Sequence, residues 1–189
     1  MTSPASVASP SRAALHAAAA AAGLRVLASA SWPETDADGE VAALAGFIDS
    51  NFSPLLAQVA ERALRRAQPQ VSGKVTAIVM VTALGDITSA ARVAAAVDAG
   101  KRVPPLQFFQ SVPNAVAGYL AARWQLTGPV VCVSGTHAGL DVAALLIDDA
   151  DADEALVVRV DLAVTDGDRD LAAAMLVTGP ADGDSSGTA

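Results

Sequence analysis

LQFFQSVPNAVAGYLAARWQLTGPVVCVSGTHAGLDVAALL, residues 106–146, is the stretch whose reading decides the fold. Its centre, PVVCVSG (129–135), is a short β-branched run of the kind that forms a strand buried within a sheet. Upstream, the residues from about Val112 read as a helix that Gly128-Pro129 terminates. Downstream, Gly135 and Gly139 bracket an elbow where the strand must turn abruptly into a helix running from Ala138 to about Asp149. A group carried on such an elbow sits at a helix N-terminus, where the dipole and the free N–H groups favour an anion.

Working outward, the same alternation of periods continues in both directions. LRVLASASW (24–32) reads as a strand followed by the acidic loop PETDADGE. A helical stretch spans Val41 to Ala67, with a break near Asn51–Pro54 because Pro54 suits a first helical turn. KVTAIVMVTA (74–83) is a strand buried on both faces, and ITSAARVAAAVDAG (87–100) is a helix stopped by Gly100. Lys101 to Pro105 and the residues up to Val112 read as loop. EALVVRVDLA (154–163) is a strand, and a turn at Asp166–Asp168 leads to a last, antiparallel strand, LAAAMLVTG (171–179). The order is β-α-β-α-β-α-β-β, an α/β pattern with a mainly parallel sheet. The expected domain is 24–180, flanked by a flexible or Ala-rich segment at 1–23 and a flexible tail at 181–189. Residues 13–22 form a short helix on propensity, with too little apolar surface to dock firmly.

Composition narrows the function classes. The 189 residues are 52% hydrophobic and only 4% aromatic, so the core is built from Ala, Val, Leu and Ile. The formal charge of −8 is uneven: residues 1–140 carry eight acidic and ten basic side chains, residues 141–189 twelve acidic and two basic. No basic stripe is present for a phosphate backbone, which argues against nucleic acid. No apolar run is long enough to span a membrane. A single cysteine, Cys132, allows no intrachain disulfide, and a reducing cytoplasm is the expected setting. No cofactor or metal site is expected.

Ser111-Val112-Pro113-Asn114, Ala117-Gly118, Leu126-Thr127-Gly128-Pro129 and Gly139-Leu140-Asp141 give these forty residues a resemblance to the β-ketoacyl synthase family of the thiolase superfamily. The resemblance implies a thiolase-like half-fold. In that family the elbow carries a nucleophilic cysteine, whose thiol the helix N-terminus activates. Aligned on Gly-Leu-Asp, Thr136 stands in the cysteine's place. A threonine hydroxyl is not ionised near neutral pH and needs an adjacent base to act. His137 is its neighbour in sequence, but adjacent helical residues point in different directions. The plain expectation is an inert elbow with Thr136 capping the helix and Cys132 a small buried core residue. The two histidines and lysine that the family uses for decarboxylation have no counterpart here, so the chain is not a self-sufficient ketosynthase.

The resemblance therefore implies a non-catalytic partner role, like the chain-length factors of polyketide systems. The expected assembly is a homodimer or a heterodimer with a full-length ketosynthase, since half of a thiolase fold leaves apolar faces uncovered and the family's counterpart of PVVCVSG pairs across a subunit interface. An acidic acyl carrier protein would dock on basic residues, either Arg62, Arg65 and Arg66 or Lys101 and Arg102. The alternative is a small stand-alone enzyme acting on an acyl thioester or carboxylic acid, with Asn114, Ser134, Thr136 and His137 lining its substrate site. His16, in the Ala-rich segment, is expected to be solvated.

Overall fold

The computed structural model describes residues 12–35, 38–47, 50–67, 73–110, 112–165 and 168–180. Residues 1–11 of the segment expected at 1–23, the tail expected at 181–189, Ser111 of the family motif, and Asp166 and Gly167 of the expected turn lie outside these residues. In chain order the elements are α1 (Arg12–Ala21), β1 (Arg25–Trp32), α2 (Phe52–Ala67), β2 (Thr76–Val81), α3 (Ile87–Asp98), α4 (Pro105–Gln110), α5 (Asn114–Trp124), β3 (Val130–Val133), α6 (Thr136–Asp148), β4 (Glu154–Asp161) and β5 (Leu171–Thr178).

The five strands form one sheet in the order β1-β5-β4-β2-β3. β2 pairs in parallel with β3 and β4, and β5 pairs antiparallel with both β4 and β1. β5 alone runs against the other four, which is the mainly parallel sheet the element order predicts. Apolar side chains alternate to the two faces. Ile78, Met80, Leu156, Val158, Ala174 and Leu176 meet α2 and α5 in one core; Val79, Val81, Val157, Met175 and Val177 meet α1 and α6 in the other. Every residue of β2 is buried, as a strand covered on both faces requires. In the first core Phe52, Leu55, Leu56, Leu64, Leu120 and Leu156 are almost wholly excluded from water, each contributing about 1.5–3 kcal/mol of burial.

Four expectations need correction. The helix does not begin at Val41: residues 41–47 form a turn closed by a Leu44–Phe47 bridge, and α2 starts at Phe52. The Asn51 carbonyl accepts the Leu55 N–H, so Pro54 lies in the first turn, where no N–H is needed. Residues 105–110 are the short helix α4 where a loop was expected. α1 does dock: Leu15 and Ala19, four residues apart on one helical face, are 7% and 0% exposed against the sheet. Finally, β3 is an edge strand, half-open to solvent, and Cys132 on it is exposed where a buried core residue was expected. A short apolar run reads the same whether it lies inside a sheet or at its rim. Among the described residues, no helix is long and apolar enough to cross a membrane.

Candidate functional site

The C-terminal ends of β2, β3 and β4 lie side by side, the place where open α/β sheets hold ligands. The elbow stands there. Gly135 caps α6 with φ 92° and ψ 135°, a conformation essentially reserved for glycine, so the sharp turn depends on it. Gly139, one turn into α6, sits so close to β2 that a Cβ there would lie 2.4 Å from Val81 Cγ2. Gly128 is equally constrained, since its Cβ would fall 2.6 Å from the backbone of Thr76 and Ala77. These two glycines of the motif are positions of close approach between elements.

Thr136 is the first residue of α6 and makes no capping bond; the cap is Gly135, contrary to the expectation that Thr136 caps the helix. Its Oγ1 instead accepts a hydrogen bond of 3.1 Å from Arg159 Nη1, and Arg159 Nε donates to Asp161 Oδ2 at 2.6 Å. Arg159 and Asp161 are two apart on β4 and share one face, which is what lets Asp161 hold the guanidinium that reaches the elbow. Sequence reasoning missed this pair. Its signal was a charge pair at alternate positions of an otherwise apolar strand.

The arrangement is poorly suited to nucleophilic chemistry. The Thr136 hydroxyl faces a permanently charged guanidinium, a donor that removes no proton. His137 is exposed, and no hydrogen bond joins it to Thr136. Ser134 and Asn114 are also exposed, Ser134 beside the elbow and Asn114 at the start of α5. The Cys132 thiol is pushed up from its ordinary pKa by partial burial, so it is short of thiolate at neutral pH, the reverse of an activated cysteine.

The basic residues divide into two groups. Arg62 and Arg66 are turned onto the loop after β1. Arg66 donates to Glu34 at 2.8 and 2.6 Å and to the Ser29 carbonyl at 2.5 Å. Arg62 donates to Asp38 at 3.0 and 2.5 Å and to the Ser31 carbonyl at 3.2 Å. The Arg66 guanidinium holds the Glu34 carboxyl below its ordinary value, and Arg62 holds Asp38 well below the usual carboxylate range. Arg65 pairs with Glu61, which also accepts from Arg123 Nε at 2.9 Å and ties α2 to α5. Lys101 and Arg102, on the turn between α3 and α4, are exposed.

That turn borders a second feature. Leu84, Val97, Leu106, Phe108 and Phe109 are each 58–64% exposed. They lie on or beside α3 and α4, which pack on each other. α3 is rich in Ala and Val, yet Ser89 is its one buried residue. A helix that apolar, with so little of it covered by the described residues, has a face suited to association.

The sequence model for the N-terminal domain of β-ketoacyl synthases matches residues 25–169. The chain belongs to the β-ketoacyl synthase family. That match spans the elbow, and α1 lies upstream of it. Solved structures give the family chain neighbours of the same fold. A ketosynthase (ApeO) in complex with its chain length factor (ApeC) from Xenorhabdus doucetiae superposes with a TM-score of 0.65 at 17% identity, over 85% of this chain and 80% of that one. The ishigamide ketosynthase/chain length factor gives 0.62 at 18%, over 80% and 50%. A β-ketoacyl synthase from Burkholderia phymatum gives 0.56 at 15%, over 87% and 54%. The family chain thus spans about half the length of the last two. No curated protein matches it in sequence.

Proposed function

We propose that the chain is a non-catalytic β-ketoacyl-synthase-like accessory subunit, pairing with a catalytic ketosynthase in polyketide or fatty-acid-type biosynthesis. The exposed apolar surface of α3 and α4, together with the half-open β3 edge, is the observation that carries this reading. Apolar area on that scale is costly to leave in water, and an edge strand presents unpaired N–H and C=O groups to a partner strand. The elbow supports the non-catalytic half of the proposal: the position aligned with the family's thiol holds a hydroxyl facing an arginine. An acidic acyl carrier protein would meet Lys101 and Arg102, which adjoin the apolar surface, more readily than Arg62 and Arg66, whose charge Glu34 and Asp38 already match.

The test is native mass measurement of the chain mixed with a full-length ketosynthase at micromolar concentrations, followed by alkylation of Cys132. The expected result is a one-to-one complex in which the thiol, exposed on the β3 edge of the free chain, becomes protected. A chain that stays uncomplexed, with Cys132 alkylated at the same rate in both samples, defeats the proposal. A homodimer that ignores the ketosynthase defeats its heterodimeric form.

A further inference from the structure

A cavity of about 250 Å³ lies between α1 and the β1–β5 pair, well away from the elbow. It is built from sequence in a simple way. Arg12 and His16 are four residues apart in α1, with Leu15 beside them, so all three present to the same wall. Docking of Leu15 and Ala19 pins that wall in place. The floor is the start of β5, where Ala173 on the α1 face leaves the space that a larger side chain would fill, while Ala172 and Ala174 border the cavity and turn their side chains to the opposite core. α1 precedes the residues that match the family model, so the cavity depends on a segment the match does not include.

The lining combines two kinds of surface. Leu15, Trp32 and Met175 make it apolar. At one side His16 Nε2 lies 3.0 Å from Ser29 Oγ, and Ser29 is 5% exposed, so this is a fixed polar group inside the fold. Arg12 adds a permanent positive charge to the same wall. Glu34 senses that charge, but its two carboxylate oxygens are already held by Arg66. Among the described residues no ion pair holds the Arg12 fork, which leaves it for a ligand. One planar guanidinium and one imidazole–hydroxyl pair beside an apolar hollow suit a planar two-oxygen anion carrying a hydrocarbon body.

We propose that this cavity, formed by Arg12, His16 and Ser29 against the alanine floor of β5, binds a small monocarboxylate with a short apolar body. The volume lies under the range that holds drug-sized ligands, which sets the body at roughly eight carbons. The proposal is independent of any partner subunit.

The experiment titrates octanoate into the full chain, read by calorimetry and by tryptophan fluorescence, since Trp32 lines the cavity. Octanol supplies the body without the charge, and inorganic phosphate the charge without the body. Octanoate is expected to bind with Kd on the order of 0.1–1 mM, with octanol about tenfold weaker and phosphate inert. Arg12 is exposed, so Arg12→Gln leaves the fold intact. It is expected to weaken octanoate about tenfold while leaving octanol unchanged. Ala173→Leu, which fills the floor, is expected to remove binding of both. The proposal is overturned if octanoate fails to bind at millimolar concentration, if octanol or phosphate matches it, or if Arg12→Gln leaves octanoate affinity unchanged.

Discussion

Replacing Gly139 by alanine tests the close approach of α6 to the sheet most directly. The added Cβ lands 2.4 Å from Val81 Cγ2, with Val133 Cγ2 at 3.7 Å and Val157 Cγ1 at 3.8 Å behind it. Val81 is 2% exposed and has nowhere to move, so the helix must lift by roughly 1 Å to restore a carbon–carbon contact near 3.5 Å. Overpacking of this kind costs about 1–3 kcal/mol, and the short contact argues for the upper half of that range. Alanine returns about 1 kcal/mol through its better helix propensity. The net expectation is a loss of about 1–2 kcal/mol, or a fall in Tm of about 2–8 °C for a chain of this size. Gly118 is the internal control. It too lies inside a helix, α5, but is exposed, and a Cβ there meets nothing within 4 Å. Gly118→Ala should therefore stabilise by about 0.8–1 kcal/mol. Thermal and urea unfolding of the two variants, with Gly139→Ala/Val81→Ala to relieve the contact, completes the comparison. A Gly139→Ala protein as stable as the parent, or a double variant showing no favourable coupling, refutes the reasoning.

Two further outcomes follow from the ion pairs. Glu34 and Asp38 have depressed pKa values in the fold, so the stability they contribute is complete above the unfolded carboxylate range and lost as pH falls through the folded values. Melting temperature should hold from neutral pH to about pH 5 and fall below about pH 4, and the Arg62→Gln/Arg66→Gln variant should lose part of that acid slope; an unchanged slope counts against the clamp. Glu154 is fully buried and accepts a 2.8 Å hydrogen bond from Thr76 Oγ1, with Lys74 Nζ 3.5 Å away. Thr76→Val leaves one carboxylate oxygen without that donor and should cost about 1–3 kcal/mol in denaturant unfolding, whereas a cost near zero would mean that water replaces the hydroxyl.

Much of the architecture was legible from period and punctuation. The runs at 24–32, 74–83, 154–163 and 171–179 contain the strands, Gly128 stands where backbone meets backbone, Gly139 where a helix meets valine side chains of the sheet, and Gly135 where the turn needs a positive φ. What failed was anything set by neighbours distant in sequence. PVVCVSG is apolar whether a strand covers it or not, so its place at the rim was hidden. Arg62 and Arg66, four apart on one helical face, looked like a free patch because their partners, Glu34 and Asp38, come from a loop about thirty residues earlier. Yet PETDADGE was the nearest acidic run in the chain, and pairing it with those arginines was the available inference. The Ala-rich first helix looked too weak to dock because propensity says nothing about the groove that Leu15 and Ala19 enter. At the elbow, the threonine was visible in the sequence, but the arginine that engages it comes from β4.

The arginines of α2 have an effect beyond loop anchoring. β1 and β3 are the two borders of the sheet, and a sheet with two bare borders can add copies of itself without limit. On the β1 border, the carbonyls of Ser29 and Ser31 are already taken by Arg66 and Arg62, which obstructs an incoming strand. The β3 border carries no such guard among the described residues. The same side chains that fold down an acidic loop therefore also blunt one border of the sheet against the strand addition that leads to fibres.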